Sequence, residues 1–207
     1  MALELNGSSP NASSRAAALV EQLREACEAL IAIVERIEPE RWVHVPKPGV
    51  WSPSKDAEHV AEGAAYHQWI VRLTLGQKVP ARPGIERELV TAQLSQREVV
   101  DLLRQRTEDG THLVEGLSDE QLDLPPRPPR ARLHTLAEMI ERVLIGHYHT
   151  HRKVIESKLR AARSSPTLDF DRLAAGRRTG DPAFVEAPGV EQAKMRRRSG
   201  RRRTGRP

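Results

Sequence analysis

Apolar residues recur at alternating intervals of three and four along four stretches of the chain, which is the spacing of helices that bury one face. The first predicted helix runs from about Ser14 to Ile37. Its seam consists of Val20, Leu23, Cys27, Leu30, Val34 and Ile37. The second begins after Ser52, a good N-cap with Pro53 at the first helical position, and ends near Gly76. Aromatic residues are only 3% of the chain, so strands are not expected.

The third and fourth predicted helices span about 96–117 and 134–162. The fourth carries a predicted stripe of Leu136, Ile140, Val143, His147, His151, Val154 and Lys158, with Leu144 and Ile155 alongside it. Residues 77–95 contain Pro80, Pro83 and Gly84 and have the length of a crossover along a bundle. Such a crossover leaves the second and third helices parallel. Prolines in 124–130 then force a reversal, which makes the second and fourth helices antiparallel.

Charge divides the chain into a body and a tail. Of the formal charge of +5, residues 191–207 carry +7 and the other 190 residues carry −2. We therefore expect a flexible N-terminus at 1–13, one four-helix bundle at 14–163 and a disordered Arg-rich tail at 164–207. The tail could contact nucleic-acid phosphates, but it lacks interleaved aromatic residues, so such binding would be unspecific.

The single cysteine and the absence of long apolar runs argue against disulfide-stabilised, thiolate-zinc and membrane-spanning proteins. Cys27 lies on the apolar seam of the first helix, so we expect a buried small side chain and no nucleophile. One cysteine allows neither an intrachain disulfide nor a zinc site made of thiolates alone. No apolar run approaches the ~18 residues of a membrane span, and no secretory signal is recognisable. A cytoplasmic location without membrane partners is expected.

Three of the eight histidines stand where apolar residues are expected. His147 and His151 are four residues apart on the stripe of the fourth helix, so their imidazoles point the same way. His59 lies on the inward face of the second helix, and antiparallel packing brings all three to a similar level. Three buried imidazoles are costly unless they share a ligand, and neutral imidazole binds zinc, nickel, iron and copper. We predict one divalent metal ion on these residues.

The other polar residues near these positions have weaker assignments. His149 falls between the pair and points away, and His67 lies beside the core face of the second helix and could support the site. Glu62, three residues after His59, could orient a ligand or accept a proton, although a solvated carboxylate is the simpler interpretation. Trp51 either lines a pocket or plugs the end of the bundle. No special role is expected for His44, His112 and His134. No catalytic residue apart from the metal can be assigned.

Two motifs resemble those of a known family. Trp51-Ser-Pro-Ser-Lys-Asp-Ala-Glu-His59 resembles the entry to the second helix in the DinB-like (YfiT-like) metalloenzyme superfamily. Gly-His147-Tyr-His-Thr-His151-Arg-Lys-Val-Ile155 resembles its closing His-x-x-x-His…Ile motif, and the similarity covers about 14–162. The resemblance implies an up-down-down-up four-helix bundle. It also implies a metal ion, usually zinc or nickel, on these three histidines, with open positions for water or substrate.

Members of this superfamily resemble metal-dependent hydrolases or transferases of low-molecular-weight thiols such as mycothiol, bacillithiol or glutathione, and one branch isomerises maleylpyruvate. A dication on neutral imidazoles lowers the pKa of bound water or thiol, so the sequence leaves both reactions open. The first hypothesis is such an enzyme with a small-molecule substrate. The second is a non-catalytic bundle that binds metal or ligand, and the third is a nucleic-acid-associated protein acting through its tail. A homodimer is one of the assemblies left open.

Overall fold

The computed structural model describes residues 13–129 and 132–164, and these residues form helices and loops with no strand. The helices are α1 (Ser14–Val34), α2 (Pro39–Trp42), α3 (Pro53–Thr74), α4 (Gln96–Glu115), α5 (Asp119–Leu122), α6 (Leu136–Met139), a π-helical segment (Ile140–Ile145) and α7 (Gly146–Ser164). The last three follow one another without a break. The four long helices predicted from the periodicity are therefore present, and the all-α prediction is confirmed.

Serine side chains cap the starts of three long helices. The Ser13 hydroxyl accepts from the amides of Arg15 and Ala16 at the start of α1. Ser52 caps α3 with Pro53 at its first turn, as predicted. Ser95 and Glu98 form a reciprocal capping box on α4. Each such cap contributes about 1 kcal/mol and defines where the chain enters the bundle.

The end of the first helix differs from the prediction. α1 stops at Val34, and Pro39 begins the short helix α2 with Glu38 at its N-cap. Proline is favoured at the first helical position because its missing amide would have no intrahelical partner there. Pro39 therefore starts a helix here, and the buried Trp42 at the end of α2 joins the core.

Contacts between α4 and its neighbours give the direction of each helix. Cys27 Sγ lies 3.8 Å from the carbonyl oxygen of Leu103, and Gln96 Nε2 donates to the carbonyl of Val34 at 2.5 Å, so α1 and α4 are antiparallel. Gln68, in the second half of α3, donates to the carbonyl of Arg106, in the second half of α4. α3 and α4 are therefore parallel, which requires the crossover predicted over 77–95.

The packing of α3 against α7 completes the topology. Asp56 near the start of α3 contacts Lys158 in the last part of α7, and Gly63 further along α3 lies against His147 near the start of α7. These two helices are therefore antiparallel. The order is up-down-down-up, as the fold prediction states.

The core lies between the four long helices. Its largest fully buried side chains are Tyr148, Lys55, Leu23, Leu30, Ile31, Ile70, Leu103, Leu122, Leu136, Met139, Ile140 and Leu144. The stripe predicted along the fourth helix is divided. Leu136 and Ile140 enter the core, while Val143 and His147 line a cavity against α3. Leu144 and Tyr148, which lie beside that stripe, also enter the core, where the Tyr148 hydroxyl lies 3.1 Å from Thr107 Oγ1. The π-helical segment accommodates an extra residue per turn and so offsets the face before it from the face after it.

No helix in the described part of the chain is long and apolar enough to cross a membrane. The predicted flexible N-terminus lies outside the described residues except for Ser13. The predicted disordered tail lies outside them except for Ser164, with which α7 ends. Cys27 is buried, as predicted, and burial raises the pKa of its thiol.

Candidate metal centre

The structure brings the three predicted histidines together between α3 and α7. Ring centroids are 5.0 Å apart for His59 and His147, 5.0 Å for His59 and His151, and 4.7 Å for His147 and His151. One ring nitrogen of each lies within 4.8 Å of the other two. The i, i+4 spacing supplies two imidazoles from one helix, and antiparallel packing supplies the third.

A glycine makes room for one of these rings. A Cβ built on Gly63 would lie 2.7 Å from His147 Nδ1 and closer still to its Cε1. Glycine inside a helix costs about 1 kcal/mol relative to alanine, and here it lets the imidazole lie directly against the α3 backbone. Gly63 is one turn after His59 on the same face, so α3 contributes both one imidazole and the space for another.

Burial keeps two of the imidazoles neutral. Burial, reinforced by the nearby His151, lowers the pKa of His59 to about 4 and that of His147 to about 3. Nδ1 of His59 and Nδ1 of His147 are buried without a hydrogen-bond partner among the described residues. A buried polar atom without a partner costs roughly 1–3 kcal/mol. Neutral, convergent imidazoles with incompletely satisfied ring nitrogens fit a divalent transition-metal ion.

His151 is oriented by a buried carboxylate. Its Nδ1 lies 3.2 Å from Asp56 Oδ1, and the other Asp56 oxygen accepts from Lys158 Nζ. Lys158 also donates to the carbonyl of Trp51 at 2.6 Å. With Nδ1–H donated to Asp56, the Nε2 lone pair of His151 is the one available to a metal ion. The carboxylate thus selects the tautomer that a metal ligand needs.

Sequence reasoning missed the roles of Asp56 and Lys158, although both carried a signal. Asp56 stands three residues before His59, so it lies one turn away on nearby surface of the same helix. Lys158 lies seven residues after His151 on a stripe otherwise made of apolar residues and histidines. A charged residue on such a stripe needs a buried counter-charge from another element, and the helix pairing shows that Asp56 provides it.

The three residues predicted to support the site all lie near it. Glu62 is only partly exposed, with Oε1 3.5 Å from Lys55 Nζ and Oε2 3.9 Å from His59 Nδ1, and burial raises its pKa. This carboxylate therefore does not belong to a solvated face. The His67 ring lies 5.3 Å from that of His147, and the Trp51 ring lies 4.9 Å from that of His59. Their part in any chemistry stays a prediction.

The histidines that were assigned no role lie outside the cluster. His44, His112, His134 and His149 are exposed. His112 Nε2 makes a surface contact of 2.9 Å with Glu108 on the same helix. His149 points away from the cluster, as its position between the two ligand candidates predicts.

A cavity of about 460 Å³ opens beside the cluster. It is lined by His59, Gly63, Tyr66, His67, Arg82, Ile85, Arg87, Arg142, Val143, Gly146, His147 and Thr150. Its size is within the range of roughly 300–1,000 Å³ found for small-molecule sites. Two of the three candidate ligands can therefore be approached by a small molecule, as in catalytic metal sites and unlike closed structural ones.

The up-down-down-up bundle, with three convergent imidazoles beside an open cavity, places the chain among four-helix-bundle proteins with a candidate metal-binding site. The chain belongs to the DinB superfamily, whose family model matches residues 22–155. A crystal structure of an uncharacterized protein from Clostridium difficile 630 is similar in fold, with a TM-score of 0.54 and 16% identity. The match covers 69% of this chain and 94% of that one. Among curated proteins, none matches.

Proposed function

We propose that this DinB-superfamily protein is a metal-dependent enzyme that binds one divalent ion, zinc or nickel, through His59, His147 and His151. The convergence of three imidazoles, two of which line an open cavity, carries the proposal. Zinc and nickel both accept neutral imidazole, and the low pKa values of His59 and His147 keep those rings available at neutral pH.

We propose one of two reactions on a small-molecule substrate. The first is transfer of a low-molecular-weight thiol of the mycothiol type to the substrate, and the second is hydrolysis of the substrate. A dication on neutral imidazoles supplies Lewis acidity and lowers the pKa of a water or thiol placed on it. The chain itself supplies orientation through Asp56 and a cavity of small-molecule size. Glu62, with a pKa raised by burial and Oε2 directed toward His59, is the candidate for accepting a proton.

Elemental analysis of the purified chain tests the centre. We expect about one transition-metal ion per chain, because three imidazoles form one catalytic-type site. A His59→Ala/His147→Ala variant should retain none. The matched control is His112→Ala/His149→Ala, which removes two exposed histidines and should keep full occupancy. Full occupancy in the His59→Ala/His147→Ala variant would reject the site.

The reaction type requires a separate assay. Metal-loaded protein is incubated with an electrophile and, in turn, mycothiol, bacillithiol and glutathione, and consumption of thiol is followed. Metal-dependent consumption with one of them supports the transferase. Without consumption of any thiol, ester and amide hydrolysis is assayed next, and a negative result there favours a non-catalytic metal-binding bundle.

The nucleic-acid hypothesis depends on the basic residues 191–207. Binding of DNA by the full chain is compared with binding by a chain ending at residue 164. Equal binding by the two forms excludes the tail as a nucleic-acid element. Loss of binding with a steep salt dependence supports unspecific phosphate contacts.

A further inference from the structure

We propose that the cavity beside the histidine cluster binds a small organic anion, whose carboxylate or phosphate is held by Arg82, Arg87 and Arg142. The inference rests on the proposed metal centre and names the class of substrate for it. The anionic end lies among the guanidinium groups, and the reacting end faces His59 and His147 in the same cavity.

The charge of the cavity wall is one-sided. Arg82, Arg87 and Arg142 line it, and no acidic residue does. In the described ranges, none of the three forms an ion pair with a carboxylate. Three cations beside a metal-binding cluster create a positive potential that a neutral ligand would leave uncompensated. An anion would compensate both the arginines and a bound dication.

The carboxylates that directly precede Arg87 and Arg142 in sequence are directed elsewhere. Glu86, which precedes Arg87, uses its carboxylate to accept from the amides of Glu88 at 2.6 Å and Leu89 at 3.3 Å. Glu141, which precedes Arg142, lines a different surface depression. Glu138, one turn before Arg142, accepts from the amide of His134 at 2.6 Å, which lowers its pKa, and the nearby Arg142 guanidinium contributes to this lowering. Arg142 is therefore partly compensated along its own helix, although the two groups, both in the described part of the chain, form no ion pair.

Arg82 is held in place by an aromatic stack. Its guanidinium carbon lies 4.8 Å from the centre of the Tyr66 ring, and Tyr66 stacks on Trp69 with centroids 6.1 Å apart. Trp69 Nε1 donates to the carbonyl of Pro80 at 3.0 Å and so anchors the chain two residues before Arg82. A planar guanidinium held in this way is suited to bidentate contact with a carboxylate or phosphate.

The second half of the crossover is anchored to the start of α3. The amide of Ser52 donates to the carbonyl of Val90 at 2.8 Å, and Ser54 Oγ accepts from the amide of Ala92 at 3.1 Å. Together with the Trp69 anchor, these bonds hold the segment that carries Arg82 and Arg87 at both ends. Both arginines are thereby presented to the cavity from one side.

Arg142 reaches the cavity from a different element. It belongs to the π-helical segment, and its Nη1 donates to the carbonyl of Arg132 at 3.3 Å. π-helical turns often occur at functional sites because the extra residue redirects nearby side chains. Val143 and Ile85 add apolar surface to the same cavity. The ligand therefore has a short apolar body behind its anionic group.

Calorimetry with matched probes tests the anion site on the metal-loaded full chain. Benzoate supplies the carboxylate, phenyl phosphate supplies the phosphate, and benzamide is the uncharged counterpart. We expect at least one of the anions to bind, with an affinity that falls as salt is added, and benzamide to bind at least tenfold more weakly. The tighter anion identifies the natural head group.

Arg87→Gln and Arg142→Gln should each weaken anion binding about tenfold, since each removes one charged donor. The matched control is Arg97→Gln, which makes the same charge change at an exposed position of α4 and should leave affinity unchanged. Metal content, measured in parallel, should stay at the wild-type level in all three variants.

Three results would each overturn the anion site. The first is equal anion affinity in the wild type and both cavity variants, the second is benzamide binding as tightly as the anions, and the third is no binding of either anion. Those results would leave the metal centre standing if metal content is full. A wild-type chain without metal would instead reject the proposed centre. Calorimetric titrations of that metal-free chain with the same probes would still test whether the anion site exists, because the charge of the arginines does not depend on the metal ion.

Discussion

At the scale of single residues, the candidate metal centre depends on residues whose roles cannot be read from their own positions in the sequence. Gly63 contributes only the absence of a side chain, Asp56 contributes one buried carboxylate, and His147 contributes a ring that burial keeps neutral. Each acts through a neighbour that lies far away in sequence. Substitution at these positions should therefore alter metal binding through those distant contacts.

Gly63→Ala should lower metal affinity at least tenfold while leaving the helix content intact. The new Cβ would collide with the His147 imidazole, whereas alanine is about 1 kcal/mol better than glycine within a helix. Competition with a metal chelator measures affinity, and circular dichroism measures folding. Gly116→Ala, where an added Cβ meets nothing within 4 Å, is the control. An unchanged affinity in Gly63→Ala would contradict the described position of His147.

Asp56→Asn should reduce metal affinity about 10–100-fold, the usual effect of removing a carboxylate that orients a ligating imidazole. The variant weakens the hydrogen bond that fixes the tautomer of His151, and it leaves Lys158 without its anionic partner. The same chelator competition measures the effect. Asp109→Asn removes a more exposed carboxylate on α4 and should bind metal normally.

The metal-free protein should lose stability as the pH falls from about 6.5 to about 4. Folding lowers the pKa of His59 from 6.5 to about 4 and that of His147 to about 3, so in this range the unfolded chain binds more protons than the folded one. Above pH 6.5 both states are neutral at these residues and the effect vanishes. Urea unfolding of chelator-treated protein at several pH values measures it.

The control for this pH dependence is a pair of glutamine substitutions. His59→Gln/His147→Gln should flatten the decline, while His112→Gln, at an exposed position, should retain it. A decline of the same steepness in both variants would show that other groups are responsible.

At the scale of elements, the crossover and the start of α3 form one unit. Lys55 is completely buried, with Nζ 2.9 Å from Glu58 Oε2. The other Glu58 oxygen accepts from the amides of Gln93 at 2.9 Å and Leu94 at 3.3 Å. The ion pair thus fastens the end of the crossover to the helix that carries His59. Satisfied buried polar groups of this kind specify one arrangement of a loop.

Lys55→Met should destabilise the fold by about 3–5 kcal/mol, because it leaves the Glu58 carboxylate buried without its cation. Adding Glu58→Gln should recover part of the loss, since the amide oxygen can still accept from the crossover amides. Urea unfolding measures both variants. Arg97→Met, which breaks an exposed pair with Asp101, should have no measurable effect. A Lys55→Met variant as stable as the wild type would contradict the buried pair.

At the scale of the whole molecule, the centre joins two helices that are distant in sequence. His59 comes from α3, and His147 and His151 come from α7. A bound ion would therefore link an antiparallel pair of the bundle. Because the ion binds the assembled bundle and finds no preformed site in the unfolded chain, binding should appear as stability.

Zinc at a hundredfold excess over its dissociation constant should stabilise the fold by about 2.7 kcal/mol and raise its melting temperature. Thermal unfolding with added zinc, and with a chelator, measures the shift. His59→Ala/His147→Ala should show none, and His112→Ala/His149→Ala should behave like the wild type. A shift of equal size in the first variant would place the zinc elsewhere on the chain.

Much of the fold follows from the sequence because its signals are local. The three-and-four spacing, the cap at Ser52 and the proline-rich breaks each act within a few residues, and they were enough to predict the long helices and the crossover. The pair His147 and His151 is also local, since one helical turn separates them. His59 could be added because a simple topology brings it to the same level.

Tertiary structure alone decided what surrounds those histidines. The partners Asp56 and Lys158 stand about 100 residues apart, and the contact between Gly63 and His147 spans more than 80. Tyr148 is buried although it lies beside the predicted stripe, and the arginines of the cavity come from the crossover and from the π-helical segment. Periodicity reports which face of one helix is buried. It does not report which residues another element places against that face, because those contacts are set by packing across the bundle.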